Sequence, residues 1–308
     1  MENRQVYDLV VVGGGPGGYT AALYAARAGL SVVVLEKLSA GGQMALTHTI
    51  DNYPGFSEGV DGFELGEKMQ LQAERFGAIT EYVTVESVQL RQDPKEVYTD
   101  GGVFYGKTVA IATGANPRKL GLPEEDALVG KGVAYCAACD GQFYKGKTVV
   151  VVGGGNSAAA DALLLSRVAK KVYLVHRRDS LRADKASTDP LFQAENVEFL
   201  WNSTVAALHR EEKLTGVTMK NLVTGEERHL ATDGLFISVG RVPVTEFVTG
   251  QLVLEQGGYI VADETTKTSL PGVFAVGDVR TKPVRQIVTA VSDGAVAAHF
   301  AQEFALGK

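Results

Sequence analysis

Cys136 and Cys139 are the only two thiols in the 308-residue chain, and they stand three residues apart. At that spacing two thiols can close a small ring, and one can be held as a thiolate, which is what exchange with another protein's disulfide needs. The alternative, half of a metal site, lacks further cysteines, and the nearest upstream histidine, His48, is distant in sequence. No metal is therefore expected. Asp140 follows the pair directly and is the nearest group to give or take the accompanying proton, for which its carboxyl would need a raised pKa.

Two glycine loops supply a second kind of chemistry. Gly13, Gly15 and Gly18 follow the apolar run Val10-Val11-Val12 and open a helix expected from about Gly17 to Ala28. In a G-x-G-x-x-G loop the first glycine allows the turn, the second lets backbone approach a pyrophosphate, and the third lets helix pack on strand. The helix N-terminus then favours the anion. Glu36 ends the next apolar run, 23 residues beyond Gly13, where an acid would hold a ribose hydroxyl.

Gly153, Gly155 and Ala158 repeat the pattern between Val149-Val150-Val151-Val152 and a helix expected from about Ser157 to Arg167, so a second adenine nucleotide is expected. Here the position matching Glu36 is His176, followed by Arg177, Arg178 and Arg182. An acid would repel a ribose phosphate, whereas guanidinium groups can contact one bidentately. The second cofactor therefore reads as NADPH rather than NADH. The competing reading is an ordinary solvated basic turn.

The elements that must position these groups follow from the same runs. The β-branched stretches read as buried parallel strands, and the strand-helix-strand unit occurs twice, from Val10 to Leu35 and from Val149 to Val175. The length suits two domains, with 45% hydrophobic and 21% charged residues. Gly114-Ala115-Asn116-Pro117 and Val239-Gly240-Arg241-Val242-Pro243 carry the punctuation of connections. If both are hinges, the middle third is inserted, giving domains 1–115, 116–243 and 244–308, the first and third being one body. A formal net charge of -6 and a single small basic cluster argue against nucleic-acid binding. The N-terminal residues show neither a secretory signal nor a membrane-spanning run, which points to the cytoplasm. In that reducing compartment a lone thiol pair is expected to work rather than to staple.

With these pieces assembled, the chain resembles the low-molecular-weight bacterial and archaeal thioredoxin reductases over nearly its whole length. The resemblance is carried by Gly13 to Gly18, Gly41-Gly42-Gln43-Met44, Asp51-Asn52-Tyr53-Pro54-Gly55, Ala112-Thr113-Gly114, Tyr135 to Gly141, Gly153 to Ala158, and His176-Arg177-Arg178-Asp179. Val273 to Asp278 and Arg285 to Ala290 complete it. It implies an α/β fold of two Rossmann-like, three-layer ββα domains, with an NADPH domain inserted into an FAD domain. FAD would be held by Gly13, Gly15, Pro16, Gly18, Glu36, Lys37, Gly42, Gln43, Asn52, Val83, Ala112, Thr113, Gly114, Gly277 and Asp278. Arg285, Gln286 and Ile287 would open a helix facing the flavin pyrimidine ring. NADPH would be held by Gly153, Gly155, Asn156, Ser157, Ala158, His176, Arg177, Arg178, Arg182, Gly240 and Arg241.

The same resemblance makes Cys139 the thiolate against the flavin, Cys136 the sulfur that meets the partner, and Asp140 the acid. Thioredoxin or a thioredoxin-like protein would be the partner, and the enzyme a homodimer. Because dithiol and NADPH loop share one domain, that domain is expected to rotate about the two connections. Two stretches depart from the family pattern, Ala159-Ala160-Asp161 where an acidic pair is usual, and Gly240-Arg241-Val242-Pro243-Val244. The alternative functions are a related dithiol oxidase or a ferredoxin-coupled relative, both of which should lack the phosphate-binding arginines. A flavoprotein that only senses redox state is a third.

Overall fold

A computed structural model describes residues 5–47 and 49–307, so His48 lies outside the described residues. The chain begins with β1 (Val6–Val12), α1 (Pro16–Arg27) and β2 (Val32–Glu36). Then follow α2 (Gly62–Glu74), β3 (Ile79–Tyr82), β4 (Val85–Gln89), β5 (Lys95–Thr99), β6 (Gly102–Ile111) and β7 (Ala115–Pro117). Strands β3-β2-β1-β6 are parallel, and β5 and β4 extend the sheet antiparallel beyond β6. Residues of β1 and β2 alternate between two cores: Leu9, Val11, Val32 and Val34 face the helices, while Val10, Val12, Val33 and Leu35 face the opposite side. Burial on both faces is why these strands read as unbroken valine runs rather than as alternating ones.

The middle of the chain builds β8 (Val133–Ala134), α3 (Ala137–Asp140), β9 (Thr148–Val152), α4 (Asn156–Ser166), β10 (Lys171–Val175), α5 (Lys185–Phe192) and β11 (Val197–Leu200). The meander β12 (Ser203–Arg210), β13 (Leu214–Asn221) and β14 (Glu227–Ala231) precedes β15 (Gly234–Ile237). Strands run in the order β11-β10-β9-β15-β8, all parallel. Val149, Val151, Val172 and Leu174 pack toward the helices; Val150, Val152 and Val175 pack with Val205, Val217 and Met219 of the meander. Helices, parallel sheet and meander thus form three layers.

The chain then returns through β16 (Arg241–Pro243), which pairs with β7, to β17 (Val273–Ala275) and α6 (Ile287–Ala305). Strand β17 pairs parallel with the end of β6, at Val109 to Ile111, past the stretch that pairs with β5. Two compact units result, one from the residues up to Asn116 and from Val242 onward, the other Pro117–Arg241.

Helices α1 and α6 approach closely because small residues line their contact, including Ala21, Ala22, Ala25, Ala297, Ala298 and Ala301. A Cβ on Gly294 would lie 2.3 Å from the Gly17 carbonyl oxygen and 2.8 Å from the Ala21 nitrogen. Both obstacles are backbone, so a side chain there forces the helices apart. Gly294→Val is expected to cost about 1–3 kcal/mol, read as a lower urea midpoint; an unchanged midpoint would contradict this packing.

Candidate active site

Cys136 and Cys139 form a disulfide with Cα atoms 5.3 Å apart. Cys136 caps the short α3, its Sγ accepting the Cys139 N–H at 3.2 Å while its carbonyl accepts the Asp140 N–H at 3.0 Å. Both cysteines are half-buried, and Ala137 between them is fully buried against Ala158, Ala162 and Leu165 of α4. Burial pushes the Asp140 carboxyl up to about 6. A carboxyl that changes its proton near neutrality, one residue from a dithiol, is suited to general acid–base work.

In the first unit the helix α1 opens at Pro16 with Gly15 as its cap, and no side chain satisfies its first amides. A Cβ on Gly18 would meet the Gly13 carbonyl oxygen at 2.0 Å, whereas one on Gly15 would meet nothing within 4 Å. The third glycine is thus closed by packing and the second is open, which is the cradle a pyrophosphate needs. Glu36 turns back to the loop: Oε2 accepts the Gly14 N–H at 2.7 Å, and Oε1 accepts from Lys37 and Leu38. Exposed Lys37 follows it, and the Val83 N–H bonds to the Glu36 carbonyl. Gly42 lies beside Gly15, its absent Cβ 3.5 Å from the Gly15 Cα, and Gln43 donates to Asn116.

Ala112, Thr113 and Gly114 leave the end of β6; the Thr113 hydroxyl donates to the Val244 carbonyl at 2.7 Å. Asn52 donates to Gln286 across 234 positions of sequence, bringing two expected flavin residues together. Gly277 and half-buried Asp278 form a turn after β17. The helix α6 starts at Ile287 with Gln286 as cap, in a capping box with Thr289. Arg285 stands outside that helix, contrary to the expectation that it opens it. Its guanidinium lies 4.0 Å from the Tyr259 ring centroid, 26 positions away, and donates to the nearby carbonyls of Asp278 and Arg280.

In the second unit Gly155 caps α4, again without a side chain at the helix amides, and again a Cβ there would meet nothing within 4 Å. Exposed Asn156 and Ser157 and buried Ala158 follow, and Asn156 accepts the Asp184 N–H. A Cβ on Gly154 would lie 2.1 Å from the His176 Cε1, so the imidazole occupies the place beside the loop. Its Nε2 is buried without a partner, and burial together with Arg182, Arg178 and Arg177 pushes its pKa down. Arg177, Arg178 and Arg182 are exposed, and the backbone N–H of Arg182 bonds to the Gly154 carbonyl at 2.7 Å, which fixes the Arg182 main chain beside the loop. Exposed Gly240 and half-buried Arg241 sit at the end of this unit. An open glycine, free helix amides, an orphaned imidazole nitrogen and three cations fit a phosphorylated nucleotide.

A model of the family described as pyridine nucleotide-disulphide oxidoreductase matches residues 7–294. The chain belongs to that family. It is 49% identical to a thioredoxin reductase of Streptomyces clavuligerus, over 97% of this chain and 94% of that protein. It is 44% identical to a thioredoxin reductase of Bacillus subtilis, over 99% and 96%. The crystal structure of thioredoxin reductase from Streptococcus pyogenes superposes with a TM-score of 0.91 at 43% identity, covering 98% of this chain and 99% of that one.

Two groups in this disulphide oxidoreductase escaped the sequence reading. Glu125, only 2% exposed, accepts the N–H groups of Leu120, Gly121 and Leu122 and the Tyr135 hydroxyl, fixing the residue before Cys136. Asp293 on α6 accepts from Arg280 through both oxygens at 2.8 and 2.9 Å, from Lys282 at 2.7 Å and from the Gly277 N–H at 2.8 Å. It therefore holds the Gly277-Asp278 turn against α6. Neither group lies in a glycine or cysteine pattern; Glu125 carries no local signal, and Asp293 shows only as the one acid in the mostly apolar first half of α6.

Burial would raise the Asp293 carboxyl, but the hydrogen bonds from Arg280 and Lys282 outweigh it and hold it below the usual range. Its stabilisation is present above the carboxyl's unfolded pKa and is lost as pH falls through the lowered folded value. Asp293→Asn leaves two buried cations without a counter-charge and is expected to cost about 3–5 kcal/mol, with a flatter acid limb of stability against pH. Wild-type stability and an unchanged acid limb would remove Asp293 from this role.

Proposed function

We propose that the protein is a thioredoxin-disulfide reductase, passing electrons from NADPH through FAD to the Cys136–Cys139 disulfide and on to the disulfide of thioredoxin or a thioredoxin-like protein. The observation that carries this reading is the redox pair standing in the same unit as the second glycine loop, its α3 packed on the nucleotide helix α4. The thioredoxin reductases named above support it. The exposed Arg177, Arg178 and Arg182 favour an NADPH-fed enzyme over a dithiol oxidase or a ferredoxin-coupled relative.

FAD would be held by Gly13, Gly15, Pro16, Gly18, Glu36, Lys37, Gly42, Gln43, Asn52, Val83, Ala112 to Gly114, Gly277, Asp278 and the turn Arg285 to Ile287. NADPH would be held by Gly153, Gly155 to Ala158, His176, Arg177, Arg178, Arg182, Gly240 and Arg241. Bound FAD supplies a carrier that takes the electron pair of NADPH and delivers it to the disulfide. Cys139 and Cys136 then hold the pair as a dithiol, and Asp140 exchanges the proton that accompanies opening and closing. The Cys136 thiolate attacks a sulfur of the partner's disulfide to form a mixed disulfide; Cys139 attacks Cys136, releasing the partner as a dithiol. Because dithiol and nucleotide loop lie in one unit, they must serve the flavin in turn, which requires the two connections to act as a joint. A homodimer acting in the cytoplasm completes the reading; among the described residues no helix is long and apolar enough to cross a membrane.

Cys136→Ser and Cys139→Ser should each keep NADPH-driven flavin bleaching and lose reduction of a disulfide protein; retained turnover in either would reject the relay. Asp140→Asn should slow protein reduction and erase the inflection near pH 6 that the raised carboxyl of Asp140 gives the turnover profile. An unchanged profile would take the proton role from Asp140. Removing Arg177 or Arg178 should raise KM for NADPH about tenfold or more and leave KM for NADH unchanged. A parallel loss with NADH would mean that these guanidiniums do not meet the 2′-phosphate.

A further inference from the structure

Asp161 is the only charged residue of α4, the helix that follows the second glycine loop. It is half-buried, on the turn between Ala158 and Leu165, which pack against Ala137. The Ser238 hydroxyl donates to its Oδ2 from the end of β15, and the Ala137 N–H, the amide directly after Cys136, also draws on its carboxylate. Arg241, three residues past Ser238, adds an attractive charge. One carboxylate therefore joins the nucleotide helix, the dithiol turn and the chain leaving the unit, and the function proposed above leaves it without a role.

We propose that Asp161 is a positioning residue for the dithiol: anchored by Ser238, its carboxylate faces the amide beside Cys136 and holds Cys136 in the thiol form. A thiolate is stabilised by nearby amide donors and cations and opposed by a nearby anion. Asp161 brings an anion near the Ala137 amide and competes for that amide's positive end, so both effects act in one direction. Burial pushes the Asp161 carboxyl up, and Ser238, Arg241 and the Ala137 amide pull it back. Holding Cys136 protonated until a partner arrives limits its reaction with other electrophiles.

Other titratable or charged groups lie on the elements around Asp161 and the dithiol turn. They are Asp140 on α3, Tyr144 in the turn after it, Asp233 before β15, Arg241 after it, and the Tyr135–Glu125 pair before Cys136. Asp161→Asn keeps the shape and one acceptor oxygen while removing the charge and turning the other oxygen into a donor.

The inference takes the dithiol's redox role from the function proposed above, but its test needs neither partner nor turnover. The FAD-loaded protein, reduced with dithiothreitol and desalted anaerobically, is alkylated with iodoacetamide between about pH 5 and pH 9, and the modified cysteine is located by mass spectrometry. The chain holds only these two thiols, so every modification reports on the pair. Asp161→Asn should move the Cys136 profile down by roughly one pH unit, giving about tenfold more thiolate at neutrality. Ser238→Ala, which loosens the carboxylate without removing it, should move it the same way by less. Unchanged profiles in both variants, or a shift upward, would overturn the proposal, as would an equal loss of thermal stability with no change in alkylation. Failure of the reductase assay with this shift intact would count against the proposed function alone.

Discussion

Each half of the molecule depends on a strand that ends, with no side chain in the way, against the first turn of a helix. Backbone N–H groups left free at such a turn attract an anion only if the chain can come within contact distance of it. Gly15 and Gly155 provide that open side, while Gly18 and Ala158 let helix settle on strand. The arrangement needs strands buried on both faces, since helices must cover one side and a second layer the other. The valine runs of β1, β2, β9 and β10 meet that need, which places both loops at the ends of parallel strands.

The two loops use the same backbone and opposite electrostatics. Glu36 accepts from Gly14 and so presents an oriented carboxylate beside the first loop. At the matching place in the second unit a neutral-leaning imidazole is seated against Gly154, with three guanidiniums nearby. A carboxylate welcomes ribose hydroxyls and rejects phosphate; cations reverse the order. On the proposed assignment, this exchange of charge at the end of one strand would separate the two nucleotides.

Around the disulfide the charge is graded rather than uniform. Glu125 is saturated with four donors and serves as an anchor through Tyr135. Asp140 is buried without such donors, and its carboxyl rises to about 6. Asp161 is raised by burial as well, and the Ser238 hydroxyl, Arg241 and the Ala137 amide pull it back. Asp140 and Asp161 are both raised by burial, and they differ in the donors that offset the lost hydration.

Much of this could be read along the chain. The C-x-x-C pair, both glycine loops, the Glu36 to His176 contrast and the helices after each loop are local patterns. The structure starts those helices at Pro16 and Asn156, within one residue of where the spacing put them. What the chain order could not reveal are contacts between residues far apart in sequence. Asn52 meets Gln286, Asp293 gathers Arg280, Lys282 and Gly277, and Arg285, one residue before the cap of α6, stacks its guanidinium on Tyr259. Asp161 stood in the sequence only as a departure from a family pattern; Ser238 and Ala137 give it a setting. Spacing by itself determined which groups could do chemistry, because backbone geometry over a few residues is fixed by residue type. Proton affinity and orientation were decided by tertiary structure, since burial and donor count depend on elements that meet only when the chain has folded.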